Sequence, residues 1–175
     1  MTVEPSRRGR GPVRAAEKHT PEATDSTGMS EVEDDIHVDA PPERVFEFMD
    51  DPENQVAVTP SLSSVESVEE LLKGRRVEYA YSMAGASMRG TVETVEYDPP
   101  TLMVWTLDGS IEGQIRQEFE PEDGGTRATY AAEYTVPVPA LEGLAEPLIE
   151  RYNRREVRTT LENLKDAVET LPAGE

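Results

Sequence analysis

The chain has no cysteine, which excludes disulfides, thiolate zinc sites, redox pairs and thiol nucleophiles together. Histidine occurs only at His19 and His37, too few and too far apart for a histidine metal centre. No metal and no cofactor is therefore expected. Lysine occurs at three positions, Lys18, Lys73 and Lys165, and every other basic residue is arginine. No apolar run approaches the roughly 20 residues that span a bilayer, and no apolar segment follows the N-terminal charges. The paired arginines of SRRGRG, residues 6 to 11, run on into polar GPVRAAEKHTPEATD rather than the apolar stretch of a twin-arginine export signal. The expectation is a soluble, cytoplasmic protein with no stable membrane insertion.

What is abundant is acid: 36 Asp and Glu against 17 Lys and Arg, a net charge of −19. Such a surface repels phosphate backbones and anionic headgroups, so no nucleic-acid partner is expected. The composition resembles that of cytosolic proteins from salt-accumulating haloarchaea, where carboxylates hold water and molar salt shortens the screening length to about 3 Å. The alternative is an acidic face evolved for a basic partner, against which stands the spread of acids along the whole chain.

Residues 1 to 28 carry Pro, Gly, Ser, Thr and charge with almost no large apolar side chains, so a disordered tail is expected there. Five basic residues (Arg7, Arg8, Arg10, Arg14, Lys18) face four acids (Glu4, Glu17, Glu22, Asp25), leaving 12 basic and 32 acidic groups for residues 29 to 175. Two accounts fit this break: a basic arm, or a start codon upstream of a true start at Met29. A single domain over residues 29 to 171 is expected, with PAGE, residues 172 to 175, as a frayed end.

Within that domain EVEDDIHVD, residues 31 to 39, alternates as a half-buried strand. Pro41 and Pro42 suit the first turn of a helix, Asp39 is placed to cap it, and Val45, Phe46, Phe48 and Met49 give it an apolar stripe. Asp51-Pro52 breaks that helix, and ENQVAVTP forms a second short one ahead of Pro60. Six strands follow, over about 62 to 70, 75 to 83, 87 to 97, 101 to 108, 111 to 120 and 126 to 137. Lys73-Gly74, Ala84-Gly85, Asp98-Pro99-Pro100, Asp108-Gly109 and Asp123-Gly124-Gly125 separate them with hairpin chemistry. The last segment, about Leu141 to Leu171, carries Leu141, Leu144, Leu148, Tyr152, Leu161, Leu164 and Val168 at helical spacing. Pro147 either marks the first turn of this helix or kinks it. The fold class is α+β, a seven-stranded antiparallel sheet curled around a long C-terminal helix.

This order of elements resembles the helix-grip fold of the START-like (SRPBCC) superfamily. The opening motif is similar to its polyketide cyclase/dehydrase or coenzyme Q-binding branch, carried by Ile36, Val38, Ala40, Pro41, Pro42, Val45, Phe46, Phe48, Asp51, Glu53 and Asn54. Gly90, Asp98-Pro99-Pro100 and Phe119 with Gly124-Gly125-Thr126-Arg127 extend the match, which spans about residues 31 to 169. The resemblance implies a cavity between sheet and helix. Its members include lipid carriers, quinone binders, hormone receptors, aromatase-cyclases and oxygenase domains, so it specifies fold far better than function. Members commonly place Trp near the end of the second short helix, where this chain has Val58, which leaves the gate and the ligand size open.

Strand parity selects the candidate residues. Val77, Tyr79, Tyr81 and Met83 share one face, as do Ile111, Ile115, Gln117 and Phe119, and Ala128, Tyr130, Ala132, Tyr134 and Val136. Four tyrosines then point at the helix, either completing a core or orienting a ligand in an apolar cavity. Trp105 is ambiguous in parity, with Met103 and Leu107 competing against Leu102, Val104 and Thr106. Met83, Met88 and Met103 suit either an adaptable wall or a core. Glu96 is the one acid in the inward register of its strand, near its end; His37, Arg89, Arg116 and Glu133 face out unless a bulge inverts them. Arg151, Arg154, Arg155 and Arg158 either grip an anion at the tunnel mouth or pair with neighbouring acids, as Glu150 with Arg154 and Arg158 with Glu162.

The pocket is assigned to Tyr79, Tyr81, Met83, Met88, Trp105, Ile115, Tyr130, Tyr134, Leu148 and Tyr152, with no catalytic residues and no oligomeric state assigned. The expected function is binding of a hydrophobic small molecule, whether lipid, isoprenoid or quinone, or aromatic polyketide-like. The alternatives are a cyclase or dehydratase using the tyrosines and an interaction module acting on a complex. If the acidity is an adaptation to salt, the thermal unfolding midpoint rises steeply between low and molar KCl; a flat profile refutes that adaptation.

Overall fold

The alternating segments become one seven-stranded antiparallel sheet in the computed structural model, which describes residues 29–83, 85–135 and 146–172. The strands are β1 (Met29–Val38), β2 (Leu62–Glu70), β3 (Arg75–Met83), β4 (Ala86–Asp98), β5 (Leu102–Gly109), β6 (Glu112–Glu122) and β7 (Gly125–Thr135). Their order is β1-β7-β6-β5-β4-β3-β2, a meander whose first strand returns to pair with the last. Two short helices, α1 (Pro42–Asp50) and α2 (Pro52–Val58), follow β1, and α3 (Glu146–Thr170) packs across the sheet. The expected tail at residues 1 to 28, Val136, Leu141 and Leu144 lie outside the described residues. Among the described residues no helix is long and apolar enough to cross a membrane.

Local chemistry places the turns. Gly74 adopts φ +73°, and a Cβ there would meet Thr94 at 2.4 Å, so the β2–β3 hairpin needs glycine for both conformation and space. At Gly125 a Cβ would come within 2.3 Å of the Val38 carbonyl oxygen, which lets the ends of β1 and β7 close together. Beside it the buried Thr126 hydroxyl donates to the Ala40 carbonyl at 2.6 Å and secures the exit from β1.

The helix start differs from the expectation. Pro41, not Asp39, is the N-cap of α1, with Pro42 opening the helix and no side-chain cap. Asp39 lies too early to reach the first-turn donors; its carboxylate instead meets His37 Nε2 at 3.1 Å. Asp51 does more than end α1, because its side chain accepts the Glu53 N–H at 2.9 Å and caps α2.

The core forms where α3 and α1 meet the concave face. Val157, Leu161, Leu164 and Val168 are buried along one stripe of α3, and Phe46 from α1 sits edge-on to Tyr97 and Phe119 at 5.5 and 5.9 Å. Polar ties fix the helices. Asn153 Nδ2 donates to Ser30 Oγ at 2.5 Å, both residues buried, and Arg44 reaches the Leu171 and Pro172 carbonyls. Pro147 falls in the first described turn of α3, where its missing N–H costs little.

Glu169 accepts the Asp39 N–H at 2.8 Å and the Lys165 ammonium at 2.5 Å, joining the end of α3 to the β1–α1 corner. The Asp39 hydrogen bond first, and Lys165 second, hold its carboxyl below the usual carboxylate range. A lowered folded pKa stabilises above the unfolded value of about 4.3, and that contribution is lost as pH falls through the folded pKa. Glu169→Gln is expected to lower the urea midpoint at neutral pH and to converge on the parent in strong acid; a constant difference across that range would exclude the charge as its source.

Candidate functional site

Between the concave face, the α1–α2–β2 corner and the first described turns of α3 lies a cavity of about 130 Å³. β3 contributes Tyr79, Tyr81 and Met83, β5 contributes Trp105, and β6 and β7 contribute Ile115, Tyr130 and Tyr134. Tyr152 closes the wall from α3. Eight of the ten residues assigned from sequence thus line one cavity.

The other two, Met88 and Leu148, do not line it. Met88 is paired with Tyr81 across the β3–β4 hairpin. The Tyr81 ring leans away from it over Gly90, where a Cβ would meet Tyr81 Cε1 at 3.3 Å. Leu148 is 52% exposed because it lies on the face of α3 opposite the stripe of Asn153, Val157, Leu161 and Leu164, which is buried against the sheet.

Register settles the ambiguous side chains. Met103 pairs with Tyr97 and Trp105 with Thr94, which puts Met103, Trp105 and Leu107 on the concave face. Met103 is fully buried in the core rather than in the cavity wall, and Trp105 is buried with Leu107 beside it at the cavity. Between Thr94 and Glu96 the β4–β5 register slips at Val95. This bulge turns Glu96 out and Tyr97 in, reversing the strict alternation expected for Glu96. Tyr97 then donates to Asp50 Oδ2 at 3.0 Å.

Several lining residues were not assigned from sequence. Met49, Gln55, Thr59, Ser61 and Leu62 come from the α1–α2–β2 corner, which strand parity does not address. Glu156 and Val157 follow Tyr152 by one helical turn, and that spacing was the signal that could have found them. Gln117 was read as inward, is 3% exposed, and lines the cavity. Val58, at the anticipated gate, is buried in the core and absent from the lining; its carbonyl takes a hydrogen bond from Asn163 at 2.9 Å.

The α3 arginines do not line the cavity. Arg158 pairs with Glu162 at 2.9 Å and Asp34 at 3.3 Å, as one expected pair requires. The other expected pair, Glu150 with Arg154, is not formed among the described residues, whereas Arg158 is fixed by a second acid, Asp34 of β1, that Arg154 lacks. Among the described residues no group of three or more metal-ligating side chains occurs.

The tyrosine hydroxyls are held as donors. Burial pushes Tyr79, Tyr130 and Tyr134 well above the ordinary tyrosine range, and the Glu156 carboxylate adds to the shift at Tyr130 and Tyr134. Tyr79 donates to Gln55 Oε1 at 2.8 Å, and Gln55 Nε2 donates to the Met49 carbonyl at 2.7 Å, pinning α2 over the sheet. Glu156 Oε1 accepts the Ser61 N–H at 2.8 Å, tying α3 to the start of β2.

Residues 29–169 match the family model described as "Polyketide cyclase / dehydrase and lipid transport". The chain belongs to this family. No curated protein matches it significantly. Among solved structures, TTHA0849 from Thermus thermophilus is similar at 25% identity and TM-score 0.70, over 79% of this chain and 96% of that one. Zhui aromatase/cyclase from Streptomyces sp. R1128 is similar at 18% identity and TM-score 0.68, over 81% and 94%. Ara h 8.0201 shares the fold at 15% identity and TM-score 0.61, over 82% and 100%. These likenesses establish the helix-grip fold of the polyketide cyclase / dehydrase and lipid transport family for this chain.

Tyr79 and Tyr130 separate a structural hydroxyl from a cavity-facing one, since the Tyr130 hydroxyl has no hydrogen-bond partner among the described residues. Tyr79→Phe is expected to cost about 1 kcal/mol in urea denaturation through the orphaned Gln55 carbonyl. Tyr130→Phe is expected to stay within about 0.5 kcal/mol of the parent; equal losses would place both hydroxyls in the core network.

Proposed function

We infer that the protein binds a hydrophobic small molecule in this cavity, with lipid, isoprenoid or quinone, and aromatic polyketide-like molecules as the candidate classes. The single observation that carries the reading is an enclosed wall of tyrosines, Trp105 and aliphatic side chains into which a few protonated hydroxyls project. Apolar walls hold a greasy body, and isolated polar groups orient it. The family's description, which includes lipid transport, and the aromatase/cyclase among the structural neighbours support the same class of ligand.

The volume limits what is held. A cavity of about 130 Å³ is smaller than the roughly 300–1,000 Å³ that enclose a whole drug-sized ligand. It suits one ring or one head of a larger molecule, with the rest leaving past the exposed rim at Tyr152 and Asp108. Residues 29–171 then act as the ligand-binding domain, in a protein adapted by its acidity to high salt.

A second reading, ring closure or dehydration of a bound polyketide-like substrate, is favoured by one observation. Glu156 lines the same cavity as Tyr130 and Tyr134, and its negative charge adds to the burial that keeps both hydroxyls protonated. A carboxylate next to protonated phenols can accept and return protons on a bound ring.

Mass spectrometry of organic extracts from protein purified at high salt from its native host should give one hydrophobic molecule near stoichiometry. Added back to stripped protein, that molecule should shift the emission of Trp105, the one tryptophan in the chain. Tyr134→Phe should weaken its binding about 2- to 10-fold, the range of a lost hydrogen bond. An empty extract together with unmoved Trp105 emission under added lipids and quinones overturns the reading.

A further inference from the structure

The polar groups of the cavity are unevenly divided. Among the described residues its lining contains no lysine, arginine or histidine, and its charged members are Glu156 and Asp108. Arg75, close enough to act on Tyr79, is engaged by Glu70 at 2.9 Å and Asp50 at 3.4 Å. Arg158 on α3 is likewise engaged by Glu162 and Asp34. A negative charge entering the cavity would therefore find no cation to pair with among the described residues.

One acceptor in the wall is unspent. Gln117 stands directly opposite Tyr130 in the β6–β7 register, is 3% exposed, and its Oε1 has no hydrogen-bond partner among the described residues. Buried carbonyl oxygens are nearly always paired, by protein, water or ligand. On the other wall Glu156 supplies a carboxylate to the same space. Five tyrosines and Trp105 line the same cavity as these two acceptors, and aromatic faces favour a cation or a neutral group over an anion.

We propose that the ligand end buried between Gln117 and Glu156 carries a hydrogen-bond donor and no negative charge. The site then takes an alcohol, a phenol or a protonated amine and rejects carboxylates such as free fatty acids. A donor satisfies Gln117 Oε1 and is drawn by Glu156, whereas a carboxylate would find neutral hydroxyl donors but no counterion, and would be desolvated in a cavity whose charged members are both acids. This inference rests on the hydrophobic-ligand reading and narrows it to a class of head group.

Three probes with one phenyl ring and different ends test it: 2-phenylethanol, 2-phenylethylammonium and phenylacetate. Each is titrated into the full chain while Trp105 emission is followed, at molar KCl, where screening over about 3 Å suppresses the net charge of the surface. The alcohol and the ammonium are expected to saturate, and phenylacetate to bind at least tenfold more weakly. Gln117→Leu should weaken the alcohol several-fold, and Glu156→Gln should narrow the gap between phenylacetate and the alcohol. Saturable binding with discrimination below tenfold overturns the head-group rule and leaves the hydrophobic-ligand reading standing. No saturable signal from any of the three overturns the head-group rule, and the hydrophobic-ligand reading is then decided by the extract and the lipid and quinone titrations. The comparison of probes on the unaltered chain decides the matter even if a variant fails to fold.

Discussion

The rest of the structure depends on how one helix meets one curved sheet. From Val157 onward α3 presses Val157, Leu161, Leu164 and Val168 into the concave face, and the seal there is complete. Nearer its first described turns the same helix lends Tyr152, Glu156 and Val157 to the cavity wall, while Leu148 faces solvent. The core and the cavity are therefore two ends of one contact. Close packing supplies stability where the helix touches, and the gap it leaves is available for a ligand.

Keeping that gap open requires a roof held by directed bonds rather than by collapse. Gln55 links α2 to Tyr79 and to the Met49 carbonyl, and Glu156 links α3 to Ser61. Arg75 donates to the Asp50 carbonyl while Tyr97 donates to the Asp50 carboxylate, so the end of α1 is tied to two strands. Each bond is modest, about 0.5–1.5 kcal/mol, but together they position the α1–α2–β2 corner without filling the space beneath it. Small residues serve the same geometry: Gly90 leaves room for Tyr81, and Gly125 and Thr126 close the β1–β7 corner.

Charge is arranged by layer. Ion pairs such as Arg76 with Glu69 and Glu93, and Arg127 with Asp35, lie on exposed surfaces where each is worth about 0–1 kcal/mol. The acids outnumber their partners there, which hydrates the surface and leaves fold and cavity to apolar burial. Inside, the few polar groups are hydroxyls, amides and one half-buried carboxylate, and their sparseness makes each one informative about a ligand.

Much of this was legible in the sequence because it is local. The two-residue period of each strand, the glycine and Asp-Pro turns, and the spacing of apolar residues in the helices act over a few residues. They placed all seven strands and sent Tyr79, Tyr81, Tyr130 and Tyr134 inward. What tertiary structure decided is how elements slide against one another. The bulge at Val95 exchanges Glu96 for Tyr97, the rotation of α3 about its own axis turns Leu148 out and admits Glu156, and the α1–α2–β2 corner brings Gln55 and Ser61 to the wall. Period predicts a face, but strand register and helix distance are settled only when distant surfaces compete to be buried, and that competition shaped the cavity.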